Sequence, residues 1–499
     1  MELVFQEKIT QYPNLIFCEE REQEETVDLI IPDRYPDGAE IIHAYGTPLV
    51  YSLDLGSDSI TISGEVQAGV LYEGTEGQLR CVRGRVPFSF RREFQERGED
   101  LQPLCSCRLQ SIDARLLNSR KLLLRAAVGC SIQIYGRTEF RSFDVEEPAP
   151  ALQLKRTELP LRLPLSLGEK RFSLQEELPL PGEHPEAAHL LKAVYDLQVT
   201  EQKAVGDKAV FKGELRIKAL YESEEEALHS HSFTLPFSQY VSMDRDVEDC
   251  ELHTELSLLS ADTQPDGSDG SRLLTSVELC ARCMATGVTK HGLIEDAFCT
   301  DGELSPEYVQ QKITACLDRQ EVRQTVELRW DQSVSSVLCA YAYPGKGLRR
   351  REGEKVLLEQ GICCDVLYYD GDNRLRGCTL RGQMEHGMAL KENARCRVEQ
   401  IRCAEPTCTS GTEGITVRIP VELWIESTAE HELCAVSGGT VEALQETKKR
   451  PALLLRFTED AEELWDIAKE CKTSAEAIRE ANALQEGQVP ANTLLLIPM

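Results

Sequence analysis

The sequence predicts a mainly β protein: three tandem β-sandwich-like repeats followed by a small domain of the order strand, helix, helix, strand. Three observations lead to this fold class. Runs of alternating apolar and polar residues, typical of half-buried strands, occur along most of the chain. One short signature recurs at intervals close to one domain length. Only the C-terminal end changes to the 3.6-residue period of helices.

The recurring signature is a strand that ends in Leu-Tyr and is followed by a leucine and then by Pro-Phe. The first two copies comprise residues 64–72 with Leu79 and Pro87-Phe88, and residues 213–221 with Leu228 and Pro236-Phe237. The third copy keeps Leu367-Tyr368 and Leu375, but it has Gln360 in place of the glycine and Gln383-Met384 in place of Pro-Phe. Its tyrosine lies 147 residues after that of the second copy, which lies 149 residues after the first.

Each copy contains the same predicted elements. An alternating strand, a turn-rich segment and a second alternating run predict a hairpin. The first strands of these hairpins are predicted at 60–72, 210–221 and 356–368, and later strands at 121–135, 272–284 and 415–425. Short helices are predicted near 186–194 and 306–317, where the period lengthens. We place the copies at 1–150, 151–298 and 299–445, and we expect them to stand in series.

The C-terminal segment has a different pattern of apolar and polar residues. A linker at 446–452, which includes Lys448-Lys449-Arg450-Pro451, precedes a predicted domain at 453–499. A strand at 453–457 is followed by a helix at 462–471, whose apolar stripe includes Ile467 and Ala468. Thr473 and Glu476 have the spacing of a capping box that starts a second helix ending near Asn482. A strand at 494–497 completes the domain.

Composition excludes several functional classes. The chain has 55 basic and 84 acidic residues, a net charge of −29, so we expect no binding to nucleic-acid phosphates. No run approaches the roughly 18 apolar residues of a membrane span, and no export-signal pattern is present at the start. The 19 cysteines, an odd number, favour reduced thiols over a disulfide framework. We expect the protein to stay in the compartment where it is made.

Few residues carry a pattern typical of chemistry. Cys280 and Cys283 have CxxC spacing, which suits zinc or redox chemistry, but they lie in an alternating strand and structural thiols are the favoured interpretation. His229 and His231 could begin a metal site, although no partner motif accompanies them. The basic run at 346–351 is interpreted as an exposed turn. We predict no enzyme and no cofactor, because the sequence contains no phosphate-binding loop, nucleophile elbow or metalloprotease helix motif.

The signature resembles the SPOCS domain of spore-coat morphogenetic proteins, together with acidic-apolar entry segments at 24–32 and 174–179. The third copy departs from the pattern at Gln360. At the C-terminal end, the segments 464–468 and 476–482 and the final Leu496-Ile497-Pro498 are similar to a LysM domain, in both order and spacing.

LysM domains typically bind N-acetylglucosamine polymers between the loop before the first helix and the loop after the second. Here the first loop lacks the usual Gly-Asp-Thr and is acidic, so it suits either hydroxyl groups or a basic protein surface. The predicted partner- or glycan-binding residues of this LysM rim are Thr458, Glu459, Asp460, Glu463, Trp465, Asp466, Ile467, Leu484, Gln485 and Glu486.

The combination of SPOCS-like copies and one LysM-like end resembles the SipL and SpoVID group of spore-envelope morphogenetic proteins. This resemblance implies a non-enzymatic adaptor in the mother-cell cytoplasm, at the forespore surface or in the spore coat. It implies that the LysM end docks on a SpoIVA-type ATPase and that the repeats recruit other coat proteins. The alternative is a protein of the cortex or wall that binds N-acetylglucosamine glycans. A LysM-targeted hydrolase is disfavoured by the lack of a catalytic motif.

Overall fold

The structure, a computed structural model, describes residues 2–94, 98–145, 149–182, 184–267, 270–411, 414–443, 452–459, 462–485 and 492–499. The prediction of a mainly β chain is confirmed, since these residues form 22 strands and two helices. Neither helix is long and apolar enough to cross a membrane.

The first copy consists of two three-stranded antiparallel sheets that share one apolar core. One sheet has the order β3-β4-β5 and the other the order β2-β7-β6, and buried side chains from both form a single cluster. Its strands, with β1 before them, are β1 (Glu2–Val4), β2 (Gln6–Ile30), β3 (Gly38–Leu55), β4 (Ser59–Gly74), β5 (Leu79–Glu93), β6 (Glu99–Asn118) and β7 (Lys121–Asp144).

The second copy repeats this arrangement, with sheets β11-β10-β9 and β12-β13-β8. Its strands are β8 (Leu152–Pro179), β9 (Ala187–Val205), β10 (Lys208–Ser223), β11 (Leu228–Ser242), β12 (Glu251–Pro265) and β13 (Arg272–Cys299). The third copy has a sheet β15-β16-β17, and its long strand β20 pairs with β14, β18 and β19. Its strands are β14 (Gly302–Trp330), β15 (Val334–Glu352), β16 (Lys355–Asp370), β17 (Leu375–Ala389), β18 (Ala394–Cys403), β19 (Thr407–Gly411) and β20 (Gly414–Ala443).

The strand that carries the signature has the same length in all three copies. The strands β4, β10 and β16 each have 16 residues, and the next strands β5, β11 and β17 each have 15. The third copy therefore keeps the same hairpin although its sequence departs from the signature.

Packing explains why the glycine and the phenylalanine of the signature are both replaced in the third copy. Gly64 lies opposite Phe88 and Gly213 opposite Phe237 in the antiparallel register. A Cβ atom at Gly213 would lie 2.5 Å from the Phe237 ring and 2.7 Å from the Gln198 carbonyl oxygen, so only glycine leaves room for the ring. In the third copy both positions change together.

In that copy Gln360 lies opposite Met384, whose unbranched side chain does not need a glycine beneath it. Gln360 is buried, and its Nε2 donates hydrogen bonds to the carbonyl oxygens of Gly345 at 2.8 Å and Gly361 at 3.1 Å. The glutamine is therefore accommodated without a phenylalanine opposite, and its amide nitrogen has two acceptors.

The two short helices predicted within the repeats are wrong, because both segments are strands. Residues 186–194 fall largely in β9 and residues 306–317 in β14. The pairing of β9 with β10 shifts register beside Tyr221 and Ser223, and that of β14 with β20 shifts after Glu307 and Cys316. Each such β-bulge inserts a residue and breaks the two-residue alternation, which lengthened the apparent period.

The three copies interlock, so the expectation that they stand in series is wrong. The signature leucines Leu71, Leu220 and Leu367, one from each copy, meet in one buried cluster. A second cluster also draws on all three copies and includes Tyr12, Phe140, Leu163, Ile294, Ile313 and Ala435. In addition, β1 pairs with β20, with Leu3 opposite Gly439, so the start of the first copy extends the sheet of the third.

Candidate docking module and the junction of the copies

The C-terminal segment folds as strand, helix, helix, strand, in the order predicted. Its elements are β21 (Leu453–Phe457), α1 (Leu464–Cys471), α2 (Ala475–Ala481) and β22 (Leu494–Pro498), which we call the C-terminal module. The strands β21 and β22 pair antiparallel. Ile467, Ala468 and Ile478 of the helices pack with Leu495 and Ile497 of β22 to form its core.

The capping of α2 differs from the prediction. The residue before the helix is Ser474, and its hydroxyl accepts a hydrogen bond from the backbone N–H of Ala477 at 3.0 Å. Thr473, predicted as the cap, is buried, and its hydroxyl donates instead to the carbonyl oxygen of Pro498 at 2.6 Å. The predicted cap is therefore wrong by one residue, and no capping box forms, because Ala477 lies three residues after Ser474. Thr473 links the helices to β22.

The predicted rim residues do not share one exposed surface. Ile467 and Thr458 are each 1% exposed, so neither side chain presents a surface to a partner in this structure. Ile467 is a core residue, and the hydroxyl of Thr458 donates to the carbonyl oxygen of Thr493 at 3.1 Å. Leu484 packs half-buried against the module core. The exposed members are Glu459, Glu463, Asp466 and Gln485, whereas Trp465 is half-buried and Asp460 and Glu486 lie outside the described residues.

Two rim residues contact the body of the protein instead of solvent. The Trp465 ring packs edge-on against Phe298 of β13, with ring centroids 4.9 Å apart. Its Nε1 donates to Asp296 Oδ2 at 2.8 Å. Glu463 forms an ion pair with Lys155 of β8 at 2.7 Å. The side of α1 that was predicted to meet a partner therefore lies against the second copy.

Asp296 is the centre of this contact. The Nζ atom of Lys469, one turn after Trp465, lies 2.8 Å from Oδ1 and 2.7 Å from Oδ2 of Asp296. Burial by itself would raise the pKa of Asp296, but the hydrogen bonds from Lys469 and Trp465 outweigh it and hold the pKa below its ordinary value. The carboxylate is therefore charged wherever the module is docked near neutral pH.

Asp296, Phe298 and Lys155 were not predicted from the sequence. They lie more than 160 residues before Trp465, and no local pattern connects a strand end to a helix of another unit. Trp465 itself was the available signal, because a large aromatic side chain beside the apolar stripe of α1 needs a packing partner.

Polar residues from all three copies lie beside the leucine junction, where His43, Lys192 and Asp365 are buried and Cys339 is half-buried. His43 of β3, Lys192 of β9 and Cys339 of β15 occupy equivalent places, each opposite the signature leucine of its copy. His43 Nε2 lies 3.2 Å from Asp365 Oδ2 of β16, and Lys192 Nζ lies 5.0 Å from the centre of the Tyr45 ring. These contacts join the first copy to the second and third.

Burial in this junction changes the pKa of His43. Desolvation, and after it the positive charge of Lys192, lowers the pKa of His43, although Asp365 opposes this shift. Burial would raise the pKa of Asp365, but His43, Lys192 and a hydrogen bond from Thr379 hold it below its ordinary value. The junction therefore favours a neutral histidine beside a charged aspartate.

A second polar junction surrounds Glu426 of β20. Arg397 of β18 pairs with it at 2.6 Å and also donates to the Tyr135 hydroxyl of the first copy at 3.0 Å. Arg319 of β14 pairs with it at 3.1 Å and donates to the Thr286 hydroxyl of the second copy at 3.3 Å. These buried, charge-assisted contacts therefore join the third copy to the other two.

The residues considered as metal ligands are packed against other side chains of the protein. Cys280 and Cys283 are both fully buried in β13, and Cys283 Sγ lies 3.2 Å from the Thr254 hydroxyl. His229 and His231 pack around His184, with ring centroids 6.1 and 5.2 Å away. In the part of the chain that the structure describes, no group of three His, Cys, Asp or Glu side chains is arranged to hold a metal ion.

The basic run at 346–351 lies in β15, so its interpretation as a turn is wrong. Lys346 pairs with Glu22 of β2 at 2.5 Å. Arg351 donates to the carbonyl oxygens of Ala394 at 2.6 Å and Lys391 at 2.7 Å. These side chains therefore tie β15 to its neighbours.

Comparison with known proteins supports one part of the sequence prediction. Residues 186–264 match the family model described as SipL, SPOCS domain. No curated protein matches the chain, and no solved structure matches it. The matched segment runs from the start of β9 to β12, so it contains the hairpin of the signature and the strand that follows it. The second copy is therefore similar to the SPOCS domain of SipL.

Proposed function

We propose that this protein is a non-enzymatic adaptor of the bacterial spore envelope. It acts in the mother-cell cytoplasm, at the forespore surface, and its C-terminal module docks on a SpoIVA-type morphogenetic ATPase. The observation that carries this proposal is the match of residues 186–264 to the SPOCS domain of SipL. The equal strand lengths of the three copies support the extension of that resemblance to the first and third copies.

The interlocked body suits an adaptor. Clusters drawn from all three copies hold related surfaces at set distances from one another. Several weak contacts to coat proteins could then act together, because the first contact raises the effective concentration of the others. The module adds a separate surface at the end of the second copy, where it contacts Asp296 and Phe298.

The rival function is binding of N-acetylglucosamine glycans by the module. The position of Trp465 disfavours it, because the half-buried ring is directed at the second copy, where it contacts Phe298 and donates its N–H to Asp296, and not into an open groove. A protein partner is compatible with this arrangement, since it can use another side of the module.

One experiment separates the two functions. The purified full-length chain is tested for binding to the purified SpoIVA-type ATPase and, in parallel, for retention on immobilised peptidoglycan with chitooligosaccharide as competitor. We expect saturable binding to the ATPase and no competed retention on peptidoglycan. If the chain is retained on peptidoglycan, is released by chitooligosaccharide and does not bind the ATPase, the adaptor proposal is wrong and the glycan-binding function is favoured.

A further inference from the structure

The outward face of the sheet formed by β21 and β22 is apolar along its whole length. Leu455 lies opposite Leu496, and Phe457 lies opposite Leu494. Together with Leu453 they form what we call the leucine face, and each of these five side chains is between 37% and 62% exposed. In total they expose on the order of 500 Å², a patch size that is often functional on a monomer.

The core of the module does not include the leucine face. The alternate residues Leu454, Leu495 and Ile497 point inward and pack against α1 and α2. A sheet of this kind normally has one apolar and one polar face. Here the second apolar face stays open, while the side of α1 that carries Trp465 and Lys469 lies against the second copy.

Charge indicates what kind of surface would cover the leucine face. Residues 453–499 contain nine acidic and four basic side chains. All four basic groups already have acceptors within the chain, which are Glu462 and Glu470 for Arg456, Asp296 for Lys469, Glu476 for Arg479, and the Gly302 carbonyl for Lys472. The exposed Glu459, two residues after Phe457, adds negative charge at one end of the face.

A second copy of the chain, with the same net charge of −29, and an anionic membrane would both be repelled. We propose that the leucine face is the docking surface for a protein partner whose matching surface is apolar at its centre and carries lysine and arginine at its edge. The inference rests on the proposed function, in which a partner docks on this module. It places the binding surface on the sheet of β21 and β22 instead of the predicted rim.

The test uses full-length protein, with the SpoIVA-type ATPase as the probe. In the face variant, Leu455→Thr, Phe457→Thr and Leu494→Thr replace exposed strand residues with a residue that favours strands. The matched control carries Ile30→Thr, Tyr51→Thr and Val288→Thr, at positions that are 73%, 54% and 64% exposed outside the module. Biolayer interferometry at low and high salt gives the dissociation constants. Thermal unfolding and sedimentation report the fold and the oligomeric state, and a single Leu455→Thr variant is measured if the triple variant does not fold.

We expect the face variant to bind at least about tenfold more weakly, the control to match the wild type, and wild-type binding to weaken at high salt.

Unchanged binding by the face variant overturns the inference. If Asp466→Ala with Gln485→Ala abolishes binding while the face variant binds, the rim is the site and only the proposed function survives. A wild-type dimer that the face variant dissolves, with ATPase binding unchanged, assigns the face to a second copy and also overturns the inference. No ATPase binding by the wild type overturns both proposals.

Discussion

The three-copy body and the C-terminal module are held by different kinds of contact. The body is joined by apolar clusters from all three copies and by buried polar groups such as His43 and Glu426. The module is attached mainly by one aromatic contact and by hydrogen bonds to Asp296, and it keeps an apolar face open. The body has therefore satisfied most of its apolar surface internally, whereas the module retains surface for another molecule.

The largest test of this comparison removes a junction leucine. Leu220→Ala should lower the free energy of unfolding by about 2–5 kcal/mol, because Leu220 is 1% exposed and contacts residues of the other copies. Urea unfolding measures the loss, and limited proteolysis should release single copies from the variant and not from the wild type. Leu348→Ala, at a 52% exposed position, is the control. An equal, small loss in both variants would contradict an interlocked body.

A second variant tests the packing of the signature within the body. Gly213→Ala should destabilise the protein by about 1–3 kcal/mol, since the added Cβ would overlap the Phe237 ring and the Gln198 carbonyl. Gly387→Ala in β17, where no atom lies within 4 Å of the added Cβ, should be close to neutral. Thermal unfolding of the two variants decides the point, and equal melting temperatures would show that the glycine is not a packing requirement.

The third test uses pH to distinguish the contacts within the body from the contact of the module. The folded pKa of His43 is lower than its ordinary value of 6.5, so below about pH 6.5 the unfolded chain binds a proton that the folded chain does not. The free energy of unfolding should therefore fall as the pH drops from about 6.5 through the folded pKa, by up to about 1.4 kcal/mol per pH unit. His291, whose pKa burial also lowers, adds an effect of the same sign.

His43→Gln should flatten this dependence in urea unfolding between pH 5 and 8, and His189→Gln, at an exposed position, should not. The module contact behaves differently, because the pKa of Asp296 lies below its ordinary 3.8. Its contribution is present above that pH and is lost only as the pH falls through the folded pKa. A module that detaches near pH 6 would refute this assignment.

The smallest expected effect concerns the attachment of the module. Asp296→Asn should weaken the contact by about 1–2 kcal/mol, since it loses the charge that holds Lys469, whose side chain is partly screened by solvent. Hydrogen exchange should rise in α1 and at the end of β13, while the unfolding of the body is unchanged. Asp466→Asn, on the exposed part of α1, is the matched control. Identical exchange in the two variants would contradict the role of Asp296.

Local pattern predicted the repeat and most strands, because alternation and turn residues reflect the burial of individual side chains. It failed at 186–194 and 306–317, where bulges interrupt the alternation. For the module, periodicity predicted the helices and placed Ile467 on the apolar stripe that is buried, in conflict with its use as a rim residue. It could not show that Trp465 contacts Phe298. The segment 453–457 has apolar residues at both alternating positions, which is a sequence signal for the leucine face.

The sequence by itself determined that three similar β units and one small mixed unit follow one another, because each unit's strands and helices depend on nearby residues. Only the tertiary structure decided that the copies interlock and that the module turns one side of α1 toward Asp296. These contacts involve residues far apart in the chain, such as Leu3 and Gly439 in one strand pair and Leu71 and Leu367 in one buried cluster. Their stabilisation comes from surfaces that exist only after each unit has folded, so no local sequence pattern encodes them.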